Sequence, residues 1–346
     1  MGLTLVSGPT AVPRSPVTAP QNTAAVAAAK PGAITDAATD QATDKPAESA
    51  PAPTRTLDFT LLAVAIAGVS MSAPLIAATA APALAIAFWR NAMAVGVLSP
   101  VALWRHRTEL RRMGRRALLT SLAAGVVLAL HFGLWLPSLN MTSVATSTAL
   151  CTTTPIWTTL ILRIRGHRPP ALVWAGTALA VVGVVILTGI DLSTDTRALA
   201  GDALALAAGM AAAGYVLLGA EVRRTASTTA YTFVCYSTTA VVLLGACLVS
   251  GSALAGYDGR TWLKIAALTV AAQLLGHSLL NRVVHGLGPS TTSTAILLET
   301  PGAALIAALW LGQTPPLMAY PALGVILAGL ALVVLSGRRK PAARAA

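Results

Sequence analysis

The chain has 346 residues, of which 55 % are hydrophobic and only 10 % charged, and its mean hydropathy is +0.71. Soluble domains carry roughly 25 % charged residues, so an ordinary water-soluble fold is excluded. The net charge of +12 would suggest nucleic acid in a soluble chain, but here Arg and Lys sit at the ends of apolar blocks, where membrane topology accounts for them and no nucleic-acid partner is needed.

Residues 1–56 are rich in Ala, Pro and Thr with no sustained apolar period. Such a segment buries too little surface to offset its ordering entropy, and the sequence predicts a disordered tail. Leu3-Thr4-Leu5-Val6 is too short for a signal-peptide core, so the tail is expected to be retained. Ten apolar blocks follow, at 57–78, 82–104, 116–138, 141–162, 170–190, 201–222, 229–250, 261–283, 290–311 and 317–337. Each is long enough to cross about 30 Å of hydrocarbon. Each should be a helix, because backbone groups in lipid must be satisfied within the segment. Residues 338–346 form a basic tail. Cys151, Cys235 and Cys247 all lie inside apolar blocks, and their odd number argues against a disulfide framework. No Cys/His spacing resembles a zinc site and no phosphate-cradling loop is present, so neither metal nor cofactor is expected.

Charge sets the orientation. With the N-terminus inside, sixteen cationic residues face the cytoplasm, including Arg105, Arg107, Arg111, Arg112, Arg115 and Arg116 between the second and third blocks. Only Arg197, Arg260 and Lys264 face outward. The positive-inside rule therefore puts both termini in the cytoplasm, in a multi-pass protein of the cytoplasmic membrane with the lipid bilayer around it.

The chain also repeats itself. Shifted by 146 residues, His277 falls on His131, Ser293-Thr294-Ala295 on Ser147-Thr148-Ala149, Pro301 on Pro155, Gly312 on Gly166, and Pro315-Pro316 on Pro169-Pro170. Gly329 on Gly183 and Gly214 on Gly68 keep the register. Matches of Pro, Gly and His at one offset argue for two structural repeats, 57–190 and 201–337. Five helices is an odd number, so the second copy must be inverted. The expected fold is all-α and integral to the membrane, ten transmembrane helices in two inverted five-helix repeats. Inverted repeats are the architecture of alternating-access transporters.

Each copy resembles the EamA-type domain of the drug/metabolite transporter superfamily. The resemblance rests on Phe88-Trp89-Arg90, on the Ser/Thr/Ala-rich starts of the fourth and ninth blocks with Pro155 and Pro301, on the Gly166 and Gly312 turns, and on Gly176, Gly183, Gly324 and Gly329 in the fifth and tenth blocks. It implies a ten-helix secondary transporter, often an exporter of amino acids or related small metabolites, with helices 1, 3, 4, 6, 8 and 9 around a central cavity. One departure is clear. Where the family commonly has Leu-Gly-Glu, His167 and Gln313 stand in place of the Glu, so no role of that carboxylate carries over.

The candidate substrate- or proton-binding residues are few. Glu299, where the first copy has Thr153, is the only acid deep within a block. A charge there costs about 2.5–3.5 kcal/mol on insertion scales; it serves a substrate amine or a proton, or is a protonated carboxyl bonded to a carbonyl. Arg90 is the only base deep within a block, either a carboxylate ligand or a fixed structural partner on a peripheral helix. His131 and His277 are proton carriers or interhelical ties. Trp135 lines a cavity or, as its place near a block end favours, anchors at the interface. Thr153 and Thr154 belong to ten hydroxyl residues between Thr142 and Thr159. They contact substrate near the carbonyls freed by Pro155, or simply pack between helices. The small-residue faces of the fifth and tenth helices serve packing or a homodimer.

Three classes compete: a transporter of a small-molecule substrate, a membrane receptor or scaffold, and an intramembrane enzyme. An enzyme needs paired acids, a His-Glu-x-x-His or a Ser with a positioned His, and the sequence has none of these. A receptor has no need of inverted repeats, so the transporter is expected.

Overall fold

Threonine and proline decide where the spans break. In the computed structural model, which describes residues 55–166, 168–192, 195–277, 279–280, 283, 298–317 and 319–336, the secondary structure is helical throughout the described residues. The helices are α1 (Arg55–Ser70), α2 (Ser72–Ala77), α3 (Ala83–Arg105), α4 (Arg107–Arg112), α5 (Arg115–Ser138), α6 (Val144–Cys151), α7 (Thr154–Ile164), α8 (Ala171–Leu192), α9 (Thr196–Val222), α10 (Thr228–Ser250) and α11 (Gly259–Leu268). A π-helical turn, π1 (Thr269–His277), continues α11, and α12 (Glu299–Leu311) and α13 (Ala319–Ser336) follow. The N-terminal tail, His167, the start of the ninth block and the C-terminal tail lie outside the described residues.

Among the described residues, five stretches are long and apolar enough to cross a membrane: 57–77, 83–105, 115–138, 196–219 and 228–250. Three shorter apolar helices lie at 171–183, 299–311 and 319–332. The unbroken helix expected over 141–162 is instead two, α6 and α7. Pro155 has no N–H to donate into the ladder, and it sits in the first turn of α7, where an N–H would lack an intrahelical partner anyway. Pro301 occupies the same kind of place in the first turn of α12. The hydroxyls of Thr152, Thr153 and Thr154 turn back to the carbonyls of Ala149, Leu150 and Cys151, where the helical ladder is interrupted. α7 and α12 both end in a glycine with positive φ, Gly166 at 90° and Gly312 at 67°, a backbone conformation that costs an L side chain energy and glycine nothing.

The most extensive packing joins one copy of the repeat to the other: α8 with α13, α5 with α9, and α10 with both α3 and α5. α1 packs on π1 and α12, and α6 packs on α9 and α12. The partners exchange when the copies are exchanged, since α5 on α9 answers π1 on α1, and α7 with α6 on α9 answers α12 on α1. The central core gathers Leu128, Phe132 and Leu136 of α5 with Tyr231, Leu243 and Leu268. A second cluster holds Leu150, Ile156, Ile326 and Leu330. The small-residue faces of α8 and α13 meet each other: Gly183 lies against Ile326 and Ala322, and Gly329 against Ala180 and Gly176. Val97, Val126, Leu130, Val241 and Leu248 stay exposed on α3, α5 and α10, which is the face a bilayer covers without cost.

Candidate functional site

Three ionisable side chains from three other blocks lie in the electrostatic field of Arg90 of α3. The guanidinium lies within electrostatic reach of His131 on α5, His277 at the end of π1 and Glu299 at the start of α12. The two histidines, mates across the 146-residue offset, are also within reach of each other. Arg90 is 1 % exposed; His131 and Glu299 are half-buried and His277 is exposed.

Arg90 is held by neutral groups. Its Nη2 donates to Oε1 of Gln273 at 2.6 Å, its Nη1 to Oγ of Ser72 at 3.5 Å, and its carbon Cζ stands 4.4 Å from the ring centre of Phe132. A cation over an aromatic face gains about 2 kcal/mol when desolvated. Its Nε has no hydrogen-bond partner. Glu299 opens α12, where the positive end of the helix dipole favours a carboxylate. It makes no side-chain hydrogen bond among the described residues and approaches Arg90 only through the electrostatic field. His131 pairs its Nδ1 with the carbonyl of Ala208 on α9 at 3.0 Å and stacks on Trp135 with ring centres 5.8 Å apart.

The remaining expectations sort differently. Trp135 is 5 % exposed in the central core, so it is no interface anchor, and its Nε1 lacks a partner. Arg90, expected on a peripheral helix, is among the most buried large side chains. Thr153 donates to Leu150 and accepts from Nε1 of Trp157 at 3.1 Å. Thr154 donates to Cys151 at 3.1 Å and Gly209 at 3.3 Å. Their hydroxyls close the helix break and the contact with α9. Thr152, not singled out from sequence, reaches across to Thr300 of α12.

Sequence reasoning missed Gln273, Tyr236 and Asp202. Gln273 is a lone amide in an apolar block, a signal weaker than a charge. Tyr236 falls on Arg90 under the 146-residue shift, and it faces Arg90 and hydrogen-bonds Gln273. Asp202 is a second buried acid, 1 % exposed in α9. It is the second residue of its block, a position that does not mark it as buried.

Two sets of ties join the copies at opposite ends. At the arginine-rich end, Glu109 on α4 accepts from the N–H and hydroxyl of Ser227, the residue that caps α10, and from Nδ1 of His106 at 2.9 Å. Partial burial alone would raise the Glu109 carboxyl; the Ser227 and His106 hydrogen bonds outweigh it and hold the group below the usual carboxylate value. Arg116 and Arg224 both pair with Glu221. At the other end Lys264 donates to the carbonyl of Ala78 at 2.6 Å, and Nε1 of Trp89 to the carbonyl of Leu254 at 2.8 Å. The Oε1 of Gln313 accepts from the N–H of Val144 at 3.4 Å, holding α6 to the turn after α12. An apolar hollow of 530 Å³ runs between α1 and α12, and a smaller one of 260 Å³ lies between Thr142 and Pro316.

The model of the EamA-like transporter family matches the chain twice, over residues 56–189 and 199–335. Among solved structures, one described only as the crystal structure of a protein superposes with a TM-score of 0.60 at 17 % identity. That match covers 83 % of this chain and 100 % of the other, and it speaks for the fold alone. No curated protein matches the sequence.

Proposed function

Because the chain belongs to the EamA-like transporter family, a transporter family rather than an enzyme family, we propose that this multi-pass membrane protein is a secondary transporter of a small zwitterionic metabolite. The substrate is an amino acid or a close relative, exported across the cytoplasmic membrane by alternating access. The single observation that carries this reading is that Arg90 lies within electrostatic reach of His131, His277 and Glu299, so that four blocks of the two copies contribute to one charged region. A cation and an acid within reach of each other, neither hydrogen-bonded to the other, match the two ends of a zwitterion. The ammonium goes to Glu299 and the carboxylate to Arg90.

Ten spans, inverted copies and cytoplasmic termini complete the proposal. They are supported by the loop charges and by packing partners that exchange with the copies. The break between α6 and α7 fits it too, since transporter sites gather where half-helices begin, and α7 begins at Thr154.

The test is ligand-dependent thermal stability of the purified protein across the L-amino acids, since a ligand that binds only the folded state raises apparent stability. At least one amino acid should stabilise the wild-type chain. Glu299→Gln keeps the volume and fixes the charge at zero, and should abolish that stabilisation while the protein stays folded. Asp58→Asn is the control and should respond as wild type. Normal binding and transport by Glu299→Gln would place the site elsewhere.

A further inference from the structure

A buried guanidinium is normally answered by a carboxylate, because an uncompensated charge in a low-dielectric interior is costly, and costlier still in a membrane. Among the described residues Arg90 has no carboxylate at hydrogen-bond range, and Glu299 acts on it only through the field. The hydrogen-bond acceptors of Arg90 are the amide of Gln273 and the hydroxyl of Ser72, its face contact is Phe132, and its Nε–H is unpartnered. Gln273 is itself 1 % exposed, and it reaches Arg90 from the other copy of the repeat, on the π-helical turn. Wide turns of this kind are frequent at functional sites. A glutamate at 273 would have the same length and would pair more strongly with Arg90, since charge-assisted hydrogen bonds are about twice as strong as neutral ones. The chain places the neutral isostere there.

We propose that Gln273 is a specificity-determining residue of the transport site: it fixes the Arg90 guanidinium without neutralising it, so that the charge is left for the carboxylate of the substrate. This rests on the transport reading given above. The division of labour follows from the donors. Arg carries five N–H groups in a rigid fork, and here one is committed at short range to Gln273 and another at longer range to Ser72, while Nε–H stays open. The neutral acceptor sets the plane of the fork. The positive charge sets the class of ligand, one bearing an anionic group as well as the ammonium that Glu299 receives.

A merely structural role predicts the opposite response to substitution. If Arg90 only pins α3 to π1, Gln273→Glu strengthens the pin and leaves ligand preference alone. If Gln273 preserves the charge, Gln273→Glu spends it. The experiment measures thermal stabilisation of the full-length chain by the L-amino acids and by amines that lack the carboxylate, such as tryptamine, tyramine and isoamylamine. Wild type should be stabilised by at least one amino acid and not by its amine. Gln273→Glu should weaken amino-acid binding by roughly ten- to a hundredfold, the worth of a hydrogen bond to a charged group, and should favour the amine. Gln273→Met, which removes the acceptor and adds no charge, should bind amino acids more weakly yet keep their preference over amines. Ser72→Asp brings the counter-charge from α2 and should repeat the Gln273→Glu reversal, so the outcome does not hang on one variant folding. A folded Gln273→Glu or Ser72→Asp protein that still prefers amino acids overturns the assignment of Gln273 and leaves the transport reading standing. A wild-type chain stabilised by neither amino acids nor amines removes that reading, and this inference with it.

Discussion

Thr152 and Thr300 meet hydroxyl to hydroxyl at 3.1 Å, joining the break after α6 to the first turn of α12. Thr300 is 1 % exposed, while Thr152 has a second partner in the carbonyl of Ala149. Interhelical hydrogen bonds in membranes average about 0.6 kcal/mol in double-mutant cycles. Thr152→Val and Thr300→Val should therefore couple by about that amount in reversible unfolding. The double variant should be less destabilised than the two singles summed. Strict additivity would show that the contact carries no energy of its own.

The orientation of the two copies can be read from two exposed turns. Arg165 follows α7 and Gln313 follows α12. Single cysteines at 165 and 313, in a chain whose three buried native cysteines are replaced, should react with an impermeant thiol reagent from opposite sides. Position 165 should label only from the cytoplasm and 313 only from outside, because the first turn is rich in Arg and the second has none. Labelling of both from one side would reject inversion.

Glu109 supplies a pH prediction outside the membrane. Its folded carboxyl is held below the usual value by Ser227 and His106, so its contribution is present above the ordinary glutamate range of roughly 4.3 and fades as pH falls through the lower folded value. Glu109→Gln should lower the melting temperature near neutral pH. The gap from wild type should close as the sample is acidified below that range. A gap unchanged across the titration would mean that the carboxylate charge plays no part in holding α4 to α10.

The contact between α8 and α13 has no room for a β-carbon at Gly329, where one would strike the backbone of Ala180 and Gly176. At Gly324, five residues earlier on the same helix, nothing lies within 4 Å. Gly329→Ala should cost about 1–3 kcal/mol, the usual penalty of overpacking, and Gly324→Ala should be neutral or mildly stabilising. Equal effects at the two sites would contradict the packing described.

The charged part of the site was legible because a charge in an apolar block is conspicuous in one dimension. Arg90, Glu299 and the histidines at 131 and 277 stand out by hydropathy and by the 146-residue offset. That Arg90 faces inward was not legible, since only the partner on π1 reveals it. Gln273 and Ser72 have no periodic signature, and neutral polar residues occur throughout such helices. The breaks were visible only halfway. Pro155 and Pro301 mark where a ladder weakens, but whether a span bends or splits depends on hydroxyls that can bond the carbonyls beside the proline. Thr152 to Thr154 do so here. Ten apolar blocks reflect composition; the described helices reflect where the backbone stays regular, and the π turn at 269–277 leaves no trace in hydropathy.

Most helix packing runs across the two copies, so the repeat that is a unit of sequence is not a unit of folding. α13 cannot peel away without baring the glycine-lined groove of α8, nor α9 without stripping α5 and α6. Pulled from one end, such a chain resists as an interleaved whole rather than yielding copy by copy. Cut in the link between α8 and α9, it gives two fragments that each lack the surface on which the other half is built.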